Sequence, residues 1–271
     1  MMKNTDAEKN RYSIKSDTES QNLLSLSTEL LAASGVQRSE VMLHTRQMLD
    51  TAVKYKELRM MYTCAMKEVK TKLDVLNTEF STLYQRNPIK FINTRLKSTS
   101  SIGEKLDRQG IPFSLENVET HLHDVAGIRV ICSYVDDIYM LAQMLTGQDD
   151  IELIRQKDYI ANPKPNGYRS LHLIVRVPVF FANQTKRVMV EVQIRTIAMD
   201  FWASLEHQLK YKRDINDEKS IVAQLKECAD VIAHTDEKML NIRKHIENMT
   251  PEQTEEEILL EKLSRLDVPI E

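Results

Sequence analysis

Glycine is scarce. The six in the 271-residue chain are Gly35, Gly103, Gly110, Gly127, Gly147 and Gly167, and no GxGxxG or GxxxxGK[ST] spacing occurs among them. A glycine-rich backbone loop that cradles phosphate is therefore excluded. Any nucleotide would have to be held by side chains. Cysteine is scarcer: Cys64, Cys132 and Cys228 are isolated and odd in number, with no CxxC pair. Neither a disulfide framework nor a zinc knuckle is supported, and a reducing compartment fits best. No apolar run approaches the roughly 18 residues that a membrane helix needs. The N-terminal stretch MMKNTDAEKNRYSIKSDTES lacks the apolar core of a secretion signal and reads as a polar tail. An excess of one charge is missing too: 37 basic and 40 acidic side chains leave a formal net charge of −3. Bulk attraction to nucleic acid or to an anionic membrane is not implied, so neither DNA nor a membrane is an expected partner. Any anion site must be a local cluster of cations. The chain does have 42% hydrophobic residues, enough for one sizeable core or two small ones.

The organisation reads as helical at both ends and mixed in the middle. From Val36 to Asn87 there is neither glycine nor proline, and Leu49, Val53, Met60, Val69, Leu73, Leu76, Phe80 and Leu83 recur at helical spacing. One or two long helices are expected there, ending near Pro88. A short helix is expected at about 100–109, capped by Ser98, Ser100 or Ser101 and ended by Gly110 and Pro112. From 127 to 195 the period changes to two. GIRVICSY, IELIRQKDYI, RSLHLIVRVPV and RVMVEVQIRT read as strands. Helix returns with TIAMDFWASLEHQLKYKR, then over 218–248, then in EEEILLEKLSRL after Pro251.

The strands are two-sided. In the last one, Val188, Val190, Val192 and Ile194 share a face opposite Arg187, Met189, Glu191, Gln193 and Arg195. Leu171, Leu173, Val175 and Val177 oppose His172, Ile174 and Arg176, and Ile128, Val130 and Cys132 oppose Arg129. An ordinary sheet with one solvated face would look the same. The flanking segments argue for more. In RLKSTSSIGEKLDR, a helix starting near Ser100 puts Ser101, Lys105 and Arg108 on one stripe, with Arg95 and Lys97 just ahead of its N-terminus. Cations converging on a helix start favour an anion, although a solvated basic face is the plainer account. In HLHDVAGIR, Asp124 stands just before a strand. That suits magnesium, which takes one or two carboxylates plus phosphate oxygens. His121 and His123 read as surface helix histidines, because no further ligand cluster for zinc accompanies them. The strip KDYIANPKPNGYRSLH is too polar for a core and too irregular for a helix. It fits a loop that stacks a base on Tyr168 and holds phosphates with Lys157, Lys164 and Arg169 or His172.

Taken together, RLKS…SIGEKL, HDVAGIRVI, KDYIANPKPNGYRSLH and VEVQIRTIAMDFWASLEH resemble the synthetase domain of the RelA/SpoT alarmone enzymes over about Ile89 to Lys212. With no recognisable hydrolase domain ahead and no regulatory domains behind, the chain is similar to the small alarmone synthetases of the RelQ/RelP type. The resemblance implies an α+β fold, a nucleotidyltransferase-like mixed β-sheet flanked by helices, with long helices at both termini. It implies a polar tail over 1–22, a synthetase domain over 23–212, and a helical C-terminal region over 213–271 that serves oligomerisation. It further implies a cytoplasmic enzyme that moves the β,γ-pyrophosphate of ATP to the 3′-hydroxyl of GDP or GTP. The products are AMP and ppGpp or pppGpp, the signals of the stringent response.

Residue by residue, Arg95 and Arg129 resemble the pair that sandwiches adenine. Lys97, Ser101, Lys105 and Arg108 resemble the ATP-phosphate contacts. Asp124 resembles the Mg²⁺ ligand, and Glu191 the catalytic carboxylate, which acts as base toward the 3′-hydroxyl and contacts the metal as well. Tyr168 resembles the tyrosine that stacks on guanine, with Lys157, Lys164, Asn166, Arg169, His172 and Gln193 around the acceptor nucleotide. Arg155 to Asp158 reads RxKD, which bears on acceptor preference in related enzymes and leaves GDP against GTP open. Members of this type assemble as homotetramers, and some bind their own product at the tetramer centre; regulation by RNA or alarmone is left open for this chain. Two other readings stand beside the enzyme. One is a non-catalytic nucleotide- or RNA-binding module, which would have lost Asp124 or Glu191. The other is a same-fold enzyme with another acceptor, an adenosine nucleotide or the 3′ end of tRNA.

Overall fold

A computed structural model describes residues 38–83, 86–211 and 218–249. The polar tail and the helix expected after Pro251 lie outside the described residues. The chain divides into two units, Met1–Leu58 and Arg59–Glu271, and the division falls inside the first helix. Everything that positions the site belongs to the second unit.

Helix α1 (Arg38–Leu83) runs unbroken for 46 residues, as the absence of glycine and proline allows. Within the second unit it buries Tyr62, Ala65, Met66, Val69, Leu73, Leu76 and Phe80, a stripe at three- and four-residue spacing. Strand β1 (Ile89–Leu96) follows, then α2 (Thr99–Arg108), α3 (Leu115–His121), β2 (Ala126–Cys132), α4 (Val135–Thr146), β3 (Glu152–Asp158), β4 (Leu171–Phe180), β5 (Thr185–Thr196), α5 (Ile197–Tyr211) and α6 (Glu218–Met249). Three of these elements, β1, α3 and α4, were not anticipated from the sequence. The bounds of the four expected strands move by a few residues at most.

Helix α2 shows how local chemistry sets the boundaries. Ser98 is the N-cap, its hydroxyl accepting from the Ser101 backbone N–H. At the other end Ile111 N–H donates to Leu106 O and Gly110 N–H to Asp107 O. Gly110 has φ of 68°. That is the pattern in which a left-handed glycine closes a helix by satisfying its last carbonyls.

The five strands form one sheet in the order β1-β2-β5-β4-β3. Only β2 and β5 run parallel; the other neighbours are antiparallel. The expected apolar face is buried: Leu171, Leu173, Val175, Val177, Val188, Val190, Val192, Ile194, Ile128 and Val130 are all 2% exposed or less. Each such side chain contributes roughly 1.5–3 kcal/mol of burial. Helices α4 and α5 lie against these strands, and Ile138, Leu141 and Leu145 of α4 are fully buried. With the valines committed to this core, the opposite face of β2, β4 and β5 is left half-exposed. α6 packs on α5 within the same unit as the sheet.

Candidate active site

The register lays the functional side chains out in two rows. One row runs Arg95 (β1), Gly127 (β2), Glu191 (β5), Ile174 (β4), Arg155 (β3). The next runs Asn93, Arg129, Gln193, His172, Lys157 across the same strands. Above them lies a cleft of about 410 Å³, lined among others by Arg95, Lys97, Ser101, Asp124, Arg129, Glu191 and Gln193. Gly127 forms its floor between Arg95 and Glu191, and a Cβ there would come within 3.3 Å of the Arg95 carbonyl oxygen. The missing side chain leaves room for a ligand directly beside Glu191.

At one end of the cleft a carboxylate is held by two lysines. Lys97 Nζ lies 2.9 Å and Lys105 Nζ 2.7 Å from Asp124 Oδ2. Burial pushes the Asp124 carboxyl up, but the hydrogen bonds and charges of Lys105 and Lys97 outweigh it and hold the group below its ordinary value. Asp124 Oδ1 is buried with no partner. The lysines are themselves placed by the backbone: Lys97 N–H donates to Val125 O, and Arg59 Nη1 donates to Lys97 O. Of the two expected surface helix histidines, His121 is exposed at the end of α3, whereas His123 lies half-buried in the bend just before Asp124. Burial lowers its pKa, and Arg155 and Lys105 lower it further.

At the other end five side chains close a ring of hydrogen bonds. Glu191 Oε1 is 3.3 Å from His172 Nδ1, and His172 Nε2 is 2.8 Å from the Tyr168 hydroxyl. Arg195 Nη2 donates to both Tyr168 Oη and Gln193 Oε1. Gln193 Nε2 donates to Glu191 Oε2 at 2.9 Å, completing the circuit. Burial pushes the Glu191 carboxyl up, yet His172 and Gln193 hold it below its ordinary value. The ring depends on one more residue. Asp200, on α5, takes Arg195 at 3.2 Å and Arg129 at 3.3 Å on the same oxygen. Asp200 thus ties Arg129 of β2 to Arg195 of the ring.

The strip around Tyr168 is an ordered loop. Asp158 ends β3 by accepting from the N–H groups of Ile160 and Ala161. Gly167 takes φ of 89°. Asn166 accepts from Tyr168 N–H and donates to Glu206. Lys164 Nζ sits 4.7 Å over the Tyr168 ring and 4.8 Å over that of Tyr159. A base stacked on that face of Tyr168 must displace this ammonium and free it for an anion.

The chain matches the model of the region found in RelA/SpoT proteins over residues 94–216. The chain belongs to this family. It is 42% identical to the GTP pyrophosphokinase YwaC of Bacillus subtilis over 193 residues, covering 71% of this chain and 92% of that one. To the GTP pyrophosphokinase YjbM of the same organism it is 39% identical, covering 69% and 87%. The fold is similar to that of the small alarmone synthetase 1 of Bacillus subtilis bound to its product pppGpp: TM-score 0.65, 38% identity, 71% of this chain and 98% of that one. The small alarmone synthetase 2 gives TM-score 0.64 at 44% identity, over 70% and 98%. This RelA/SpoT member is thus a GTP pyrophosphokinase by its relatives, with the mixed α+β sheet of the small synthetases.

Most of the residues singled out in the sequence converge in this family member. Arg95, Lys97, Ser101, Asp124, Arg129, Glu191 and Gln193 line the cleft, and Lys105 reaches in to Asp124. Tyr168, Lys164 and His172 form its far side, steadied by Asn166. Lys157 is exposed on β3 opposite His172. Two residues point elsewhere. Arg108 is exposed and folds back on the Glu104 carbonyl. Arg169 donates to Ile160 O and to Asp230 of α6, which directs it away from the cleft. Sequence reasoning missed Gly127, Asp200 and Tyr159. The glycine carried a signal, since it stands between Asp124 and Arg129 in a chain otherwise poor in glycine.

Proposed function

We propose that the cleft binds ATP and a guanine nucleotide side by side and joins them at Glu191. One observation carries this: Glu191 stands between the Lys97–Asp124–Lys105 cluster and the Tyr168 loop, on strand β5 that borders both. The GTP pyrophosphokinase relatives support the same assignment. Arg95 and Arg129 hold the adenine, with Asp200 fixing the plane of Arg129. Lys97, Lys105 and Ser101 take the phosphates at the N-terminus of α2, where free N–H groups favour anions. Tyr168 stacks the guanine, and Lys164 and Lys157 take its phosphates.

The acceptor 3′-oxygen attacks the β-phosphorus of ATP, and the bond from that phosphorus to the α-β bridging oxygen breaks. The bridging oxygen leaves with AMP, and the 3′-hydroxyl proton passes to Glu191. Held below its ordinary pKa, Glu191 is ionised at neutral pH but is a weak base. A weak base suffices where the transition state is loose and the hydroxyl becomes acidic only late. Incoming phosphates place further negative charge beside it and raise its basicity when it is needed. Among the described residues no cluster of three or more metal-ligating side chains exists. Magnesium needs only one or two carboxylates, the rest coming from phosphate and water. The partnerless Asp124 Oδ1, with Glu191 beside it, fits that ion. Bound there, magnesium neutralises the phosphates.

Incubation with labelled ATP and each of GDP, GTP, ADP and tRNA tests this. Label in a 3′-pyrophosphorylated guanine nucleotide is expected; label only in an adenosine or tRNA product would refute it. We further propose a cytoplasmic homotetramer. No helix among the described residues is long and apolar enough to cross a membrane. Exposed Met239, Ile242 and Met249 on α6, and Met42, Leu49 and Val53 on α1, leave apolar faces for assembly. A monomer by light scattering at micromolar concentration would refute that.

A further inference from the structure

Three consecutive residues of the acceptor loop meet α6. Gly167 is the tightest: a Cβ there would lie 2.4 Å from Ala229 Cβ and 3.1 Å from Lys226 Cα. The two backbones approach as closely as they do only because position 167 has no side chain and position 229 has one carbon. Tyr168 comes next, and its ring packs against a small cluster of Trp202, Ala203 and Ala229, with Leu225 and Ile232 beside it. Trp202 Nε1 donates to the Leu225 carbonyl at 2.9 Å, locking α5 to α6 under that ring. Arg169 then reaches Asp230 at 3.4 Å while holding Ile160 O across the loop at 3.1 Å. Further along, Asp236 accepts from Thr196 at 2.6 Å, at the end of the strand that carries Glu191. None of these contacts enters the cleft. Those of Gly167, Tyr168 and Arg169 fix where the Tyr168 ring stands, and the Asp236 contact ties α6 to the end of β5.

We propose that α6 is the seat of the acceptor loop, and that Ala229 is a positioning residue for the acceptor nucleotide, acting through Gly167 on Tyr168. The proposal rests on Tyr168 being the guanine contact. A polar loop with two prolines and a glycine has little core of its own, and ordering it on binding would cost affinity. Seating it beforehand on a helix removes that cost. Because the contacts lie behind the loop, moving α6 shifts Tyr168 while leaving Arg95, Lys97 and Lys105 in place. Affinity for the guanine nucleotide is therefore set apart from affinity for ATP. A change confined to the Ala229–Gly167 contact therefore governs the acceptor, whereas a shift of the whole helix would also reach Asp200 and Arg129 through α5.

The test is Ala229→Leu in the full chain, with Ala223→Leu, on an exposed position of the same helix, as control. Overpacking behind Gly167 is expected to raise the Michaelis constant for GDP and GTP about tenfold or more. The dissociation constant for ATP should stay within about twofold, as expected for a distant site. Ala223→Leu should leave both unchanged. Trp202 is the one tryptophan of the chain and lies 6.4 Å from the Tyr168 ring, so its fluorescence reads GDP binding without turnover. If the wild-type chain transferred no pyrophosphate, the catalytic proposal would fail, while the fluorescence titration would still decide this one. A folded Ala229→Leu with unchanged GDP binding, or with equal losses for GDP and ATP, would overturn it. Should Ala229→Leu not fold, Asp230→Ala decides: its carboxylate is half-exposed, and its loss should weaken GDP binding by about two- to fivefold with ATP unaffected. No change there would equally overturn the proposal.

Discussion

Replacing Glu191 with glutamine separates chemistry from architecture. The side chain keeps its shape and its place in β5, but the amide cannot take the hydroxyl proton. In the native ring both carboxylate oxygens accept, one facing His172 Nδ1 at 3.3 Å and the other Gln193 Nε2 at 2.9 Å. A glutamine offers one acceptor and one donor, so it meets one of those two donors well and the other badly. That loses one hydrogen bond, about 0.5–1.5 kcal/mol. Burial is the largest influence on Glu191 and opposes its charge, so removing the charge returns part of this. The net change in stability should be about 1 kcal/mol or less. Catalysis should lose about 10²–10⁴-fold, or roughly 3–5 kcal/mol at 1.36 kcal/mol per tenfold. The barrier effect therefore exceeds the stability effect several-fold, and the two can be measured apart. Pyrophosphate transfer gives turnover, calorimetry gives both nucleotide affinities, and thermal unfolding gives stability. Near-normal turnover in a folded protein that binds both nucleotides would remove Glu191 from the mechanism and leave Asp124 as the remaining carboxylate of the cleft.

Tyr168→Ala should raise the Michaelis constant for the guanine nucleotide by the worth of one base–aromatic stack, about 1–3 kcal/mol, with ATP binding little changed; unchanged acceptor affinity would mean that the ring serves only its protein neighbours. Asp200→Asn should weaken both nucleotides together, because one oxygen holds Arg129 and Arg195, and Asp200→Glu should not restore them, since a longer side chain cannot sit 3.2–3.3 Å from both; a loss confined to one nucleotide, read by separate titrations, would contradict this. Asp236 is pushed up by burial, against the hydrogen bond from Thr196. A carboxyl with a raised folded pKa binds its proton more readily in the native state, so it favours folding in acid and loses that favour as pH rises through its folded value. Asp236→Asn keeps an acceptor for Thr196 and should raise the melting temperature near pH 7 but not near pH 4; equal shifts at both would show that the charge is irrelevant.

How much was legible follows from how each signal is written. The three central strands alternate valine or isoleucine with polar residues, because one face is core and the other cleft, so the period reveals both at once. β1 hides because it is an edge strand: of IKFINTRL only Ile89 is buried, and without a buried face there is no alternation to read. α4 lies between two strands, and its start depends on Asp137 reaching back to the Tyr134 N–H, a contact that composition does not show. Among site residues, Ser101 and Lys105 could be placed by helical spacing alone, although Arg108 on the same stripe folds back on the Glu104 carbonyl. Asp200 could not, because its meaning lies in two arginines on different strands. Arg169 misled for the opposite reason. Its type and its place in a basic loop suited a phosphate, but its direction was decided by Asp230 of α6, far along the chain.

The lone parallel pair in the sheet explains why the cleft has two different ends. β2 and β5 run the same way, so Gly127 lies beside Glu191 and Arg129 beside Gln193, and the ends of both strands point together. Asp124 precedes β2, and β1, being antiparallel, brings Lys97 to the same end from its own C-terminus. The opposite end receives Asp200, because α5 starts directly after β5. Lys97 and Lys105 gather where β2 begins, with Arg95 beside them, and Arg129 and Arg195 meet at Asp200 toward the end of β5. The lysines are compact point charges suited to phosphate, whereas the arginines present planes suited to a base. Had β5 run antiparallel to β2, Asp200 would fall at the lysine end, and Arg129 would lose the carboxylate that orients it. Glu191 sits in the middle because it is register partner to Gly127, the position where the sheet leaves space for two substrates to meet.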